Sequence, residues 1–297
     1  MKNLKYILTI MMVMIISSCF QSEEIYMLNP DGSAKIKVMQ RSPINVFGNK
    51  KGEQLKQDIL SKVRDFLYDA EGVEAWTDFE YEISPDSSRI ELRGTAYVPD
   101  ISKLEGEAFG FSFGHELQDG GDRGKLFVID KDKKDEPGIE ERQEEPLKPV
   151  EKMTEEEIEA EIENMKTEYN SFRGMAQMML GTMEVMTIVD LPGEIVDLNG
   201  FQRLNDRSVE FGFKGEKVLK KLDSMTSQEG FWREQVMSGD RLFSDDMEME
   251  KVIQVMFGTS EPPHVVYEND GKMFDYKKEI EKAKMEWSVI KKKHPQE

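Results

Sequence analysis

The chain has 297 residues, 59 of them acidic and 40 basic, for a net charge of −19 at pH 7. A surface this acidic repels phosphate, which argues against nucleic-acid binding, and it disfavours electrostatic adhesion to anionic lipid. Cys19 is the sole cysteine, so no disulfide framework braces the fold and stability has to come from one or two hydrophobic cores.

Lys2 and Lys5 precede an apolar run from Tyr6 to Ile16, and Ser17-Ser18-Cys19 follow. A basic head, a short apolar core and small residues before a cleavage point make residues 1–18 a secretory signal peptide. The run is shorter than the ~20 residues a membrane-spanning helix needs. Ile16, Ser17, Ser18 and Cys19 together resemble a bacterial lipobox. That resemblance implies a diacylglyceryl group on the Cys19 thiol, Cys19 as first residue of the mature protein, and a membrane-anchored location in the cell envelope, facing the periplasm or the exterior. Two acyl chains suffice for stable attachment without a transmembrane helix. Residues 19–24 are then expected to form a short lipidated tether.

An α+β region is expected over 25–130. Ile25 to Leu28 and Ala34 to Met39 read as a hairpin around Asn29-Pro30-Asp31-Gly32, where Pro30 presets φ and Gly32 accepts positive φ. Leu55, Ile59, Val63, Phe66 and Leu67 form one stripe of a helix from Glu53 to Asp69. Phe79, Tyr81 and Ile83 alternate with acidic residues. After Ser84-Pro85-Asp86-Ser87, the residues Ile90, Leu92 and Ala96 return along the core face. Lys125 to Asp130 reads as a further strand.

Residues 131–153 are rich in charge and proline and read as an acidic flexible linker. Thr154-Glu155-Glu156-Glu157 fits a capping box that opens a long amphipathic helix over 154–181. Ile158, Ile162, Met165, Tyr169, Phe172, Ala176 and Met179 recur at alternating spacings of about four and three, a heptad seam. Ile158, Ile162, Met165, Tyr169 and Phe172 are therefore candidates for contact with a protein partner, against the alternative that the stripe packs on its own domain. The acidic first half of this helix disfavours a parallel self-dimer.

A second β unit over 182–225 completes the α+β domain. In it Val185 to Val189 and Ile195 to Leu198 flank Leu191-Pro192-Gly193, and Val209, Phe211 and Phe213 share a face. A mainly helical C-terminal region over 226–297 follows, with helices expected at Ser227 to Met237, Met247 to Phe257 and Asp275 to Lys292.

Leu28-Asn29-Pro30-Asp31-Gly32-Ser33 after a lipobox, then Leu191-Pro192-Gly193-Glu194-Ile195-Val196, Asn199-Gly200 and the strand Ser208 to Phe213, resemble the LppM-like family of bacterial lipoproteins. The resemblance covers Glu24 to Gly215, interrupted by the acidic linker and the heptad helix. It implies an α+β domain outside the cytoplasmic membrane and supplies no enzymatic residues.

Several patterns bear on chemistry. Gly110-Phe111-Ser112-Phe113-Gly114 matches G-x-S-x-G, but a nucleophile elbow needs a strand before the serine and a helix after it. Phe109, Phe111 and Phe113 alternate as in one continuous strand, and a triad would need His264 as base. His115, His264 and His294 lack ligand spacing for zinc. Asp130, Asp132 and Asp135 lack the glycine and glutamate of a calcium loop. Met175, Met178, Met179, Met183 and Met186 read as core filling rather than Cu(I) ligands. No catalytic residue, metal or cofactor is expected. The function indicated is a non-catalytic binding or scaffolding module. A lipid- or glycolipid-binding domain and a hydrolase built on Ser112 are the rival readings.

Overall fold

A computed structural model describes residues 21–44, 51–106, 108–129, 153–238, 259 and 261–296. The segment expected to be a signal peptide, most of the expected acidic linker and the helix expected at 247–257 lie outside the described residues, as do the side chains of Met178 and Met179. Five helices and two sheets, of seven and four strands, form a mixed α+β structure among the described residues.

The strands are β1 (Gln21–Leu28), β2 (Ala34–Pro43), β3 (Ala75–Ile83), β4 (Arg89–Val98), β5 (Phe113–Gln118), β6 (Arg123–Val128), β7 (Glu184–Asp190), β8 (Ile195–Asn199), β9 (Gln202–Arg203), β10 (Ser208–Lys214) and β11 (His264–Glu268). The helices are α1 (Glu53–Tyr68), α2 (Glu155–Leu180), α3 (Gly215–Thr226), α4 (Phe231–Ser238) and α5 (Tyr276–Lys293). The large sheet runs β3-β4-β2-β1-β7-β10-β9 and the small one β5-β6-β11-β8. Every pairing is antiparallel except that of β1 with β7.

The core follows from alternation. Tyr26, Leu28, Ala34, Ile36, Val38, Ile90, Leu92, Ala96, Val189, Val209 and Phe211 are buried on one face of the large sheet. They share a single apolar cluster with Val63, Phe66 and Leu67 of α1 and with Phe113, Leu126, Val265 and Tyr267 of the small sheet. Burying one side chain of this size contributes roughly 1.5–3 kcal/mol. Two aromatic rings of the small sheet lie where a neighbouring strand carries glycine. Phe127 sits opposite Gly114 and Tyr267 opposite Gly124, and a Cβ on either glycine would overlap the ring.

The hairpin turn has the expected chemistry. Gly32 N–H donates to Asn29 O at 3.0 Å, and Gly32 adopts φ 81°. Asn29 does more than turn the chain. Its buried Oδ1 accepts from Met273 N at 2.9 Å and Phe274 N at 3.3 Å, while its Nδ2 donates to Phe274 O and Ser33 Oγ. The segment leading into α5 is thereby fastened to the first hairpin.

Four expectations are corrected. Residues 21–24 are not a tether: they form the first half of β1, fully paired with β2 and β7. The segment from Phe109 to Ser112 is irregular, and the strand begins only at Phe113. The second β unit expected over 182–225 is divided between the sheets, since β7, β9 and β10 join the large sheet and β8 the small one. The C-terminal region is not a separate helical unit. β11 lies inside the small sheet, and α5 lies along β3, where Ile280 and Ala283 pack with Ala75 and Tyr97. There, a bulge between Thr77 and Glu80 turns Asp78 N–H outward, and Glu286 Oε1 accepts from it at 2.7 Å. A helix laid along an edge strand protects it from further pairing.

Candidate functional site

Cys19 and Ile16, Ser17 and Ser18 of the expected lipobox lie outside the described residues, and β1 begins two positions after Cys19. No helix among the described residues is long and apolar enough to cross a membrane.

The expected partner stripe is covered by the chain itself. Thr154 and Glu157 form the capping box, and Ile158, Ile162 and Met165 pack with Trp232 and Val236 of α4. The Tyr169 ring lies 5.6 Å from that of Trp232, tilted by 60°, and its hydroxyl donates to Asp223 Oδ1 of α3 at 2.6 Å. Phe172 packs with Val218 and Leu222 of α3. Arg173 closes the contact with a two-pronged ion pair to Asp223, at 2.7 and 2.8 Å. A 26-residue helix folded against two shorter ones satisfies the stripe without a second chain.

The G-x-S-x-G segment is organised around a buried carboxylate. Glu24 is 1% exposed and points from β1 into the core. Its oxygens accept from Gly110 N at 2.6 Å, Ser22 Oγ at 2.9 Å, Tyr26 Oη at 2.9 Å and Thr187 Oγ1 at 3.2 Å. Burial pushes the Glu24 carboxyl above its ordinary range. The four donors act the other way and only partly offset it. Gly110 is required for this approach, because a Cβ there would overlap Val185. The glycine before Ser112 thus lets the loop close onto the sheet.

Ser112 lies immediately before β5, and its carbonyl accepts from Ile129 N at 2.9 Å. His115 and His264 are both engaged with other partners. His115 Nε2 lies 2.8 Å from Tyr267 Oη, and burial lowers its pKa. His264 pairs through Nδ1 with Pro262 O at 3.1 Å and approaches Asp197 through Nε2 at 3.6 Å. A serine nucleophile needs a base in reach. Fluorophosphonate labelling of the protein is therefore expected to be absent and unchanged by Ser112→Ala. Labelling that vanishes in the variant would overturn this.

A cleft missed by sequence reasoning opens beside β10. β9 pairs only with Val209 and Glu210, so the rest of that edge of β10 is open. The resulting cleft of about 540 Å³ has Val185, Phe201, Phe213 and Val218 among its walls and Lys214, Lys217 and Lys221 along its rim. Glu184 and Glu210 also line it, and Lys214 forms an ion pair with Glu184. The spacing of the three lysines, one helical turn apart from the start of α3, was the available signal. What no local pattern carried was the shortness of β9. Among the described residues, no group of three or more His, Cys, Asp or Glu side chains is arranged to hold a metal ion.

No family model matches the chain, and no curated protein matches it. Among solved structures, the folded domain of the Mycobacterium tuberculosis LppM protein, determined by NMR, is similar at a TM-score of 0.32 and 10% identity. The match covers 67% of this chain and 85% of that one. At that score the likeness carries no argument about function.

Proposed function

We propose that this is an exported lipoprotein, held to a bacterial envelope membrane by acylated Cys19, whose folded part is a non-catalytic binding or scaffolding module. The observation that carries the reading is the ordered series of basic head, short apolar run and Ile16-Ser17-Ser18-Cys19. A strand starting at Gln21 fits a mature chain that begins at Cys19, because almost nothing before the domain is left over. The cleft beside β10 is the ligand site offered for this module: it is concave, and Val185, Phe201, Phe213 and Val218 share its lining with Glu184, Glu210 and three lysines.

The test is Cys19→Ala. The wild-type N-terminal peptide is expected to begin at Cys19 and to carry acyl mass, and the protein to enter the detergent phase. The variant is expected to lose both properties. A variant that still fractionates with membranes after a high-salt wash would sink the anchor. A lipid or glycolipid ligand is the second reading, because apolar side chains in the cleft stand beside lysines that can meet a charged headgroup. It would be preferred over scaffolding if lipid co-purifies with the unacylated protein.

A further inference from the structure

The register of the large sheet places one row of residues level with its first described residue. Glu82 pairs with Glu91, Glu91 with Arg41, Arg41 with Gln21, Gln21 with Glu184 and Glu184 with Lys214. Cys19 precedes Gln21 by two residues, a span of at most about 7 Å. A bilayer holding acyl chains on Cys19 therefore lies close to this row. β3 is three strands away from β1, roughly 14 Å to the side. Ile83, one position beyond Glu82 in the same direction, is 40% exposed, and Tyr81 is exposed beside it.

The last turn of α5 reaches the same end of the sheet, with the His294 ring 5.4 Å from Phe79 and 6.0 Å from Tyr81. Seven lysines stand against three glutamates in α5, in a chain that is otherwise strongly acidic. Two of those glutamates are occupied: Glu279 by Lys35 at 2.7 Å and Glu286 by Asp78 N. Lys291, Lys292 and Lys293 are exposed at the C-terminal end, and Val289, one turn earlier, is 63% exposed. Lysines in a last turn complement the helix dipole, but the dipole gives no reason for an exposed valine among them.

We propose that this end of the fold, formed by the last turn of α5 with Val289 and by the β3 end with Tyr81 and Ile83, rests on the anionic headgroup surface of the bilayer. The inference depends on the Cys19 anchor. The acidic residues do not prevent the contact. In the row itself Glu91 is paired with Arg41 and Arg93, and Glu184 with Lys214, which leaves Glu82 against the three terminal lysines. Carboxylates farther off than a Debye length of about 8–10 Å are screened. The lysines meet headgroups, while Val289 and Ile83 enter the interface. The module is then held upright and close, with the Asn29 turn at the far end of β1 directed away from the membrane.

The sole native cysteine is the acylated one, so a cysteine introduced elsewhere takes a thiol dye alone. Full-length acylated protein carrying Val289→Cys, Ile83→Cys or Lys272→Cys is labelled with an environment-sensitive dye. It is then reconstituted on vesicles of phosphatidylcholine with or without phosphatidylglycerol, containing a lipid-borne quencher. Lys272 precedes the segment that Asn29 fastens, roughly 25 Å along the strand from Gln21. Quenching at 289 and 83 should exceed that at 272 by about twofold or more on phosphatidylglycerol vesicles. It should fall to the level at 272 at high salt, and also when Lys291, Lys292 and Lys293 are all changed to Gln. Protein that floats with the vesicles yet shows equal quenching at all three positions would overturn the docking while leaving the anchor intact. Protein that does not float at all would overturn both.

Discussion

Glu24→Ala is expected to destabilise the protein by about 3 kcal/mol, among the largest effects of any single side chain in the core. Alanine leaves the Gly110 N–H and the hydroxyls of Ser22, Tyr26 and Thr187 without their common acceptor. A buried group stripped of its partner costs roughly 1–3 kcal/mol, and the hydroxyls recover part of the loss by turning towards one another. The measurement is the urea midpoint at unchanged slope. A shift below about 1 kcal/mol would mean that the carboxylate does not hold the loop.

Glu24→Gln separates shape from charge. Its amide oxygen can accept from Gly110 and Ser22, and its NH₂ can donate to hydroxyls that rotate. The fold should survive, and its pH dependence should change. The folded state holds the Glu24 proton more tightly than the unfolded chain does. The protonated carboxyl therefore contributes stability that is fully present below its ordinary pKa of 4.5 and is lost as pH rises through that value towards the raised one. Relative to wild type, Glu24→Gln should become steadily more favourable as pH climbs above 4.5 and then level off. Parallel stability profiles of the two proteins across that range would show that burial does not perturb this acid.

Asn29→Ala is expected to cost about 2–4 kcal/mol, because two backbone N–H groups and one carbonyl lose a buried partner in a single step. The loss should be local before it is global. Hydrogen exchange should rise first in the segment 270–280 and in α5, while β6 and β11 remain protected. Asn29→Asp is the sharper control. It preserves the acceptor for Met273 N and Phe274 N but sets a carboxylate oxygen against Phe274 O, where an N–H stood 3.2 Å away. It should therefore rescue only part of the loss. Uniform acceleration of exchange over both sheets would show that Asn29 is an ordinary core residue rather than a fastening.

Within the site, legibility divided along the same line as within the fold. The Gly110–Gly114 motif was visible, but the continuous strand its alternating phenylalanines suggest is not formed, and Ser112 lies just before β5. The motif's partner Glu24 was not visible as such, because a glutamate in a polar run reads as solvated and nothing nearby marks it for burial. Burial is imposed by Thr187, 163 residues along the chain, and by Gly110, 86 residues along it. The heptad stripe was equally visible, but a stripe only states that something apolar must cover it. Trp232, Val236 and Leu222 do so from within the same chain.

Sequence alone determined the elements whose causes are local: the Asn29-Pro30-Asp31-Gly32 turn, the stripe of α1, the Thr154–Glu157 capping box and the alternation in β2, β4 and β10. Each depends on residues within one turn or one pleat of each other, where steric and hydrogen-bonding preferences act directly. Tertiary structure decided that residues 21–24 are strand, that β1 and β7 pair in parallel, that β11 completes the small sheet and that α5 lies along β3. A strand is fixed by the partner that takes its backbone hydrogen bonds, and here the partners lie far off in the chain. Gln21 finds Glu184 and His264 finds Phe127. No period in the intervening residues records such a pairing; it forms because these strands, once brought together, bury their apolar faces against the same core.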